Sequence, residues 1–353
     1  LYLPEYLHHE PFRLIRAVAY GVTRLRLGRL LRLFWRDWCR DRTRNRVRRV
    51  GQAVVLATEL PPEIQHIHVH YLHTPTSVGR YCAEMLELNY TISAHAKDIW
   101  TTPTWDMREK LDSARWTTTC TRHNFDYLSS IAPEAQIRLI YHGVSDALFP
   151  PPDTKSSAPE SEEITIISVA RAVRKKGLDL VLEALARLPS DLRWRFVHVG
   201  GGPELDSLVN LAATLQLTSR TTWVGAASQE EVLHFLRRAH IFCLPSRIAR
   251  DGDRDGLPNV LLEALSQGVA VVATNISAIP ELIVDNETGL LVEPENAKDL
   301  SIALENFIRI PELRARLALA GKAKVQAQFR MEAGVDILAP LLRSELEGMR
   351  RPL

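Results

Sequence analysis

The chain is 353 residues long, 46% hydrophobic and 24% charged, proportions that exclude a disordered or collagen-like polymer and leave room for two ordinary α/β domains. Its net charge of +2 conceals an asymmetry: residues 1–50 carry thirteen Arg, no Lys and four acids (Glu5, Glu10, Asp37, Asp41), a local balance of 13 − 4 = +9, so the remainder stands at 2 − 9 = −7. Cys39, Cys82, Cys120 and Cys243 are scattered without a C-x-x-C pair, which excludes a disulfide framework or cysteine zinc site, and no apolar run reaches the roughly 18 residues of a membrane span.

Free thiols and the lack of a visible signal peptide predict a cytoplasmic protein. The chain opens on Leu1 rather than Met, so a trimmed N-terminus is expected. Residues 5–58 are expected to be mostly helical. Within them Leu27, Leu30, Leu31, Phe34 and Trp38 recur at helical spacing, with Arg29, Arg32, Arg36 and Arg40 largely on other faces. Two readings stay open: residues 24–40 lie on an anionic membrane surface, or they pack on the first domain's sheet with the arginines solvated. Nucleic acid is not expected, because no reading motif accompanies the charge.

Four strands are predicted next, at His66–His70, Tyr90–Ala94, Trp116–Thr119 and Ile137–Tyr141, with helices between them. His66, His68 and His70 would share one strand face, with His73 nearby, but no carboxylate stands at ligand spacing and a metal is not expected. Phe149–Glu163 (FPPPDTKSSAPESEE) reads as a linker.

Beyond it, short apolar strands are predicted at Ile164–Ala170, Arg193–Val199, Thr221–Val224, His240–Leu244, Val269–Ala273 and Leu290–Val292. Helices are predicted at Leu178–Leu188, after Pro203, and at Gln229–Arg238, Pro258–Ser266 and Lys298–Phe307. Such alternation implies a parallel sheet covered on both faces, in a doubly wound α/β domain. The expected organisation is a first domain over residues 1–149, a linker over 150–163, a second domain over 164–330, and a helix over 331–353 returning to the first domain.

Ligands in doubly wound sheets sit outside the carboxyl ends of the strands, and three motifs fall there. Arg171–Gly177 (RAVRKKG) offers Arg171 as a bidentate cation and Lys176 as a point charge, a pair suited to a diphosphate. Val199–Glu204 (VGGGPE) allows close backbone approach around Gly201, but it matches neither G-x-G-x-x-G nor a Walker loop, which argues against nicotinamide and ATP. Asp255–Ala264 (DGLPNVLLEA) opens a helix near Pro258, where the backbone around Gly256, Leu257, Asn259 and Val260 can hold an anion, and Asp255 and Glu263 can grip hydroxyls. Each motif has a plainer alternative: a solvated basic loop, a tight turn, and an Asp cap with a surface Glu. A calcium loop over Asp251, Asp253 and Asp255 fails, because Leu262 occupies the place of the bidentate Glu and Pro258 lies inside the loop.

Taken in order, and followed by Thr274–Glu281 (TNISAIPE) and Thr288–Val292 (TGLLV), these motifs resemble the retaining glycosyltransferases of family 4 over about residues 60–330. The resemblance implies the GT-B fold, two Rossmann-like doubly wound domains facing across a cleft. It also implies that Asp255 holds donor-sugar hydroxyls, Glu263 the ribose, and Arg171 and Lys176 the diphosphate, helped by amides from Gly256 to Val260. Ser93–Asp98 (SAHAKD) resembles the active-site loop of the exopolysaccharide (colanic-acid-type) subgroup, which would set His95 beside the transferred sugar and leave Lys97 and Asp98 to orient the loop or the acceptor.

Two departures stand out. The family's first strand and glycine-rich loop have no counterpart before residue 60, so the first β-α unit is expected to be absent, and His142–Ser145 (HGVS) stands where the family often has N-G-V-D. The function implied is transfer of a sugar from a nucleoside-diphosphate sugar to a glycan or polyprenyl-linked acceptor, with retention and without a metal or other cofactor. The setting would be bacterial exopolysaccharide or cell-surface glycan synthesis, on the cytoplasmic side and peripheral to the membrane. The alternatives are another GT-B enzyme, such as an inverting transferase or nucleotide-sugar epimerase, and a catalytically silent nucleotide-sugar-binding scaffold.

Overall fold

A computed structural model describes residues 2–24, 26–148 and 163–347, so the predicted linker lies outside the described residues except for Glu163. The chain divides into two compact units. Unit 1 comprises Leu1–Cys120, Asn124–Ile140 and Leu338–Leu353, and unit 2 comprises Thr121–His123 and Tyr141–Ile337.

The first part of the chain runs α1 (Pro11–Arg24), α2 (Leu27–Arg40), α3 (Arg44–Glu59), β1 (His66–His70), α4 (Thr74–Leu86), β2 (Asn89–Ala94), α5 (Ala96–Trp100), α6 (Thr104–Ser113), β3 (Thr117–Thr119), α7 (Arg122–Ile131) and β4 (Ile137–Leu139). The strands lie in the order β1-β2-β3-β4, all parallel. Val78, Tyr81, Cys82 and Met85 fall at helical spacing on α4 and pack against Leu30 of α2 and Ala53, Val54 and Ala57 of α3. A second cluster gathers Tyr90, Ile92, Ala94, Ile99, Met107, Leu111 and Leu128.

The basic N-terminal segment departs from expectation in two ways. On α2, Leu30 is buried but Leu31 is 60% exposed and Trp35, which the spacing argument left out, is 65% exposed; Leu27, Leu30 and Leu33 face the core, with Phe34 and Trp38 half-buried and Asp37 buried beside them. The arginines, moreover, are not simply solvated: Arg29 pairs with Glu87 (2.8 Å), and Arg36 and Arg40 both pair with Glu109. Arg46 of α3 is buried against Asp41 (2.9 Å), Asp106 (3.5 Å) and Asp37 (3.7 Å), while Tyr81 Oη donates to Asp37 (2.7 Å). Lys110 is fully buried and donates to Asp106 (2.8 Å) and the carbonyl of His73 (2.8 Å). Removing one member of such a network strands its partner in low dielectric, at a cost of about 3–5 kcal/mol.

Unit 2 contains β5 (Ile164–Val169), α8 (Leu178–Leu185), β6 (Trp194–Val199), α9 (Leu205–Thr214), β7 (Thr221–Gly225), α10 (Gln229–Arg238), β8 (Ile241–Leu244), α11 (Asn259–Ser266), β9 (Ala270–Thr274), α12 (Ile279–Leu282), β10 (Leu290–Val292), α13 (Ala297–Arg309) and α14 (Pro311–Gln328); α15 (Met331–Glu347) follows. The sheet order is β10-β9-β8-β5-β6-β7, wholly parallel. Winding runs one way from β5 to β7 and the other from β8 to β10, so the switch point lies between β5 and β8. Alternate residues serve opposite faces: Ile166, Phe196, Cys243 and Val272 enter one core, and Ile167, Val197, Phe242 and Val271 the other.

Several predicted ends move by one to three residues, and α11 begins at Asn259 because Pro258 remains extended as its cap. The expected domain edge at 149 also shifts. Tyr141–Leu148 belong with unit 2, because Val144 N donates to Phe329 O (2.9 Å) and Met331 N to Val144 O (3.1 Å). Gly143 permits this contact, since a Cβ there would lie 2.3 Å from the Arg330 carbonyl carbon.

Candidate active site

The loops that follow β5 and β8 flank the switch point, and they are stitched together. Gly177 (φ +65°) ends the basic loop in the left-handed region, where a Cβ would stand 2.0 Å from the carbonyl oxygen of Pro245. Arg247 N donates to Lys175 O (2.8 Å), and the buried Arg247 guanidinium forks onto Asp179 at 2.8 and 3.1 Å. On the other side, Ala172 N donates to Gly201 O (2.8 Å), which draws the glycine turn after β6 against the same loop. Space around Gly201 is open: a Cβ there would meet nothing within 4 Å.

Between these loops lies a cavity of about 400 Å³ lined by Arg171, Lys175, Lys176, Asp255, Pro258, Asn259 and Val260, among others. Arg171 is exposed and its guanidinium has no partner among the described residues. Lys176 is paired: its Nζ donates to Asp255 Oδ2 at 2.7 Å, and Ser246 Oγ donates to the same oxygen at 3.1 Å. Lys175 Nζ bridges Asp253 Oδ1 (3.0 Å) and Asp255 Oδ1 (3.4 Å).

Sequence reasoning separated Lys176 and Asp255 into different tasks. The fold joins them, and adds Lys175, Ser246 and Arg247, which that reasoning did not single out, and Asp253, which it weighed only as part of a calcium loop. Lys175 stood inside the quoted basic motif, but an isolated Arg after a strand carried no signal.

Glu263 is half-buried one to two turns into α11 and does not line this cavity. Burial pushes its carboxyl above the ordinary carboxylate value, and its side chain has no donor or cation partner among the described residues. Gly256 and Leu257 form the turn before the helix. Asn259 is hydrogen-bonded to His142, the first residue of the HGVS departure. Glu281, from the TNISAIPE motif, accepts from Tyr141 Oη (2.7 Å) and from the amides of Arg122 and His123 (2.8 Å each), so its carboxylate is spent on positioning backbone.

His95, Lys97 and Asp98 all lie in unit 1, at the carboxyl end of β2. His95 caps α5, and its backbone N–H donates to both Asp98 oxygens (3.1 and 3.2 Å). Asp98 also accepts from Leu72 N, is fully buried, and is pushed up to about 6 by burial against the opposing pull of those amides. Asp98 therefore fastens the loop after β1 to the loop after β2. The His95 ring stacks with His70 (centroids 6.3 Å, planes 9° apart) and tilts on Tyr71 (5.1 Å), a non-glycine residue at φ 74°. Lys97 is exposed. Both ring nitrogens of His68 are engaged by hydroxyls, Thr91 at 2.7 Å and Ser93 at 2.9 Å.

Two parallel-sheet α/β units, one wound about a cation-lined switch point, place the fold among the GT-B glycosyltransferases. The chain superposes on sucrose-phosphate synthase from Thermosynechococcus elongatus with a TM-score of 0.73, at 21% identity, over 85% of this chain and 79% of that one. It likewise matches Anabaena HepE in complex with UDP, with a TM-score of 0.71 at 17% identity, over 83% of this chain and 82% of the other. At these identities the likeness is one of fold.

By sequence, residues 151–324 match the glycosyl transferases group 1 family. It is 33% identical over 214 residues to the putative colanic acid biosynthesis glycosyltransferase WcaL of Escherichia coli (strain K12), a stretch covering 60% of this chain and 52% of that protein. The chain spans about half the length of the curated relatives it matches.

Proposed function

We propose that this chain transfers a sugar from a nucleoside-diphosphate sugar to a glycan or polyprenyl-linked acceptor, with retention of anomeric configuration. The observation that carries the reading is the cavity at the switch point, where the Arg171 guanidinium has no partner among the described residues and Lys176 is held by a carboxylate; one to two turns further along α11, outside the cavity lining, the half-buried Glu263 carboxylate has no partner among the described residues. A carboxylate half-removed from water without a donor is costly, and ribose hydroxyls would supply the donors. Arg171, Lys176 and the amides from Gly256 to Val260 would take up the charge that develops on the leaving diphosphate, so no metal is needed for that purpose. Asp255 would meet the donor sugar and Gly201 would let the backbone approach it; His95, held by Asp98 in unit 1, is the second residue proposed for catalysis. As the glycosidic bond to the diphosphate breaks, the acceptor oxygen bonds to the same face of the sugar, and its proton passes to the departing phosphate oxygen.

UDP bound to HepE supports a nucleoside-diphosphate donor, and the name of WcaL supports a role in exopolysaccharide or other bacterial cell-surface glycan synthesis. A cytoplasmic position at the inner membrane face fits such acceptors. It is also favoured by exposed Phe12, Ile15 and Val22 on α1 and by Leu31 and Trp35 on arginine-rich α2. No helix among the described residues is long and apolar enough to cross a membrane.

The test is a panel of UDP- and GDP-sugars, scored by calorimetry and by release of the free nucleotide, with and without EDTA. Binding and turnover that survive chelation are expected. Binding without hydrolysis or transfer to any acceptor would favour a silent scaffold, and abolition by EDTA would refute the metal-free site.

A further inference from the structure

Every cation of the candidate donor site except Arg171 is already matched by a carboxylate of the same unit. Lys175 and Asp253 are the pair that the roles assigned above leave unused. Their side chains are only 18% and 17% exposed, and Nζ and Oδ1 lie 3.0 Å apart, so the contact is not a loose surface pairing. The backbone on both sides is fixed. Lys175 O accepts from Arg247 N (2.8 Å). The loop that bears Asp253 closes on itself through Ala249 N to Asp253 O (2.9 Å), Gly252 N to Ala249 O (2.9 Å) and Asp253 N to Asp251 Oδ1 (3.1 Å). Two preformed loops thus aim an ammonium and a carboxylate at each other beside the cavity.

Charge arithmetic shows what the pairing does. Arg171, Lys175 and Lys176 against Asp253 and Asp255 leave 3 − 2 = +1. A sugar nucleotide carries one charge on each of its two phosphates, and with Asp253 withdrawn the site stands at 3 − 1 = +2, which matches it. Asp255 is not the group to leave, since Lys176 and Ser246 both hold its Oδ2.

We propose that Lys175 is a third diphosphate-binding cation and that Asp253 is its resident counter-ion, displaced when the diphosphate enters. The inference rests on the donor-site reading above. It makes Asp253 a determinant of selectivity: a ligand has to bring enough negative charge to replace a carboxylate already in place, which favours diphosphates over monophosphates and uncharged nucleosides.

The experiment is isothermal titration of the full chain with UDP, GDP and inorganic pyrophosphate, with UMP, GMP and the free nucleosides alongside. Asp253→Asn should bind the diphosphates roughly three- to tenfold more tightly, the range expected for removing a competing half-shielded ion pair. The gain should be larger for monophosphates, narrowing the discrimination, and absent for nucleosides. Combining Asp253→Asn with Lys175→Gln should abolish the gain, and Asp253→Ser, checked by circular dichroism, guards against a local folding defect.

Unchanged or weaker diphosphate binding in both folded Asp253 variants overturns the displacement. If instead Arg171→Ala and Lys176→Ala leave diphosphate binding untouched, or none of the probes binds the unaltered chain, the donor-site reading falls and this inference falls with it.

Discussion

Asp255 and Glu263 sit at opposite ends of the same short stretch but in different electrostatic states. Asp255 is held by Lys176 and Ser246, whereas Glu263 is half-buried and has no partner among the described residues. Glu263→Gln should therefore weaken UDP or GDP about tenfold to a hundredfold, the loss of a charge-assisted contact, and weaken the full donor equally. Asp255→Asn should leave the bare nucleotide bound at least as well, because it frees a lysine, yet lower turnover tenfold or more. Calorimetry beside initial rates separates the two, and equal nucleotide losses would refute the division of roles.

Titration gives a second residue-scale test. His198 is fully buried in β6 beside Trp223, and burial lowers it to about 4. Between that value and the ordinary 6.5 the unfolded chain binds a proton that the folded one refuses, so stability is intact above pH 6.5 and falls by roughly 3 kcal/mol as pH drops toward 4. Asp98, raised to about 6, runs the other way: its folded form holds a proton between pH 6 and 4, and its burial penalty fades over that range. Urea unfolding of wild type and His198→Phe across pH 7 to 4.5 should show a flatter acid limb in the variant.

The site motifs were legible at this scale because polar and glycine residues interrupt apolar runs at strand ends. The pairings of Lys175 and Lys176 were not, since their partners lie 78 and 79 positions away and no local pattern matches a given amine to a given carboxylate.

Among elements, the turn at Gly177 decides whether the basic loop can meet the loop after β8. Gly177→Ala adds a Cβ 2.0 Å from Pro245 O at φ +65°, so it should cost about 1–3 kcal/mol and weaken nucleotide binding as the stitch opens. Gly201→Ala meets open space; it should leave the melting temperature within error and weaken only the ligand, if the donor passes there. Thermal melts and titration of both variants supply the comparison.

Helices α1 and α2 invite a separate measurement. Sedimentation with anionic vesicles should be salt-sensitive and should fall when Arg29, Arg32 and Arg36 become Gln or when Leu31 and Trp35 become Ser. Wild type left in the supernatant at low salt would refute the surface. Strong β/α alternation made most of unit 2 readable in advance. Helix α14 was not readable, because its buried side is Leu317, Ala318, Gly321 and Val325, and small residues contribute little periodic signal even where Gly321 lets it approach Leu265 closely.

At the scale of the molecule, each unit has its own apolar clusters. Scanning calorimetry should therefore resolve two transitions rather than one. UDP or GDP at a hundred times its dissociation constant should stabilise the unit that binds it by about 2.7 kcal/mol and leave the other transition in place. A single transition shifted as a whole would refute that independence. The two-domain α/β class was legible from element order, but the division at residues 140 and 337 was not, because it depends on contacts such as Val144 with Phe329.

Unit 1 draws on residues far apart in the chain: the buried Trp116 indole donates to Glu345 at 3.1 Å, across 229 positions. On a ribosome adding about 5–20 residues per second, that partner emerges roughly 10–50 s after Trp116. All of Tyr141–Ile337 is made in the interval, so the second unit has its full sequence in hand while the first still waits for its last segment. The part of the protein that is synthesised first is thus completed last, and until Glu345 arrives its Trp116 indole stays unpaired, the state most exposed to chaperones and proteases.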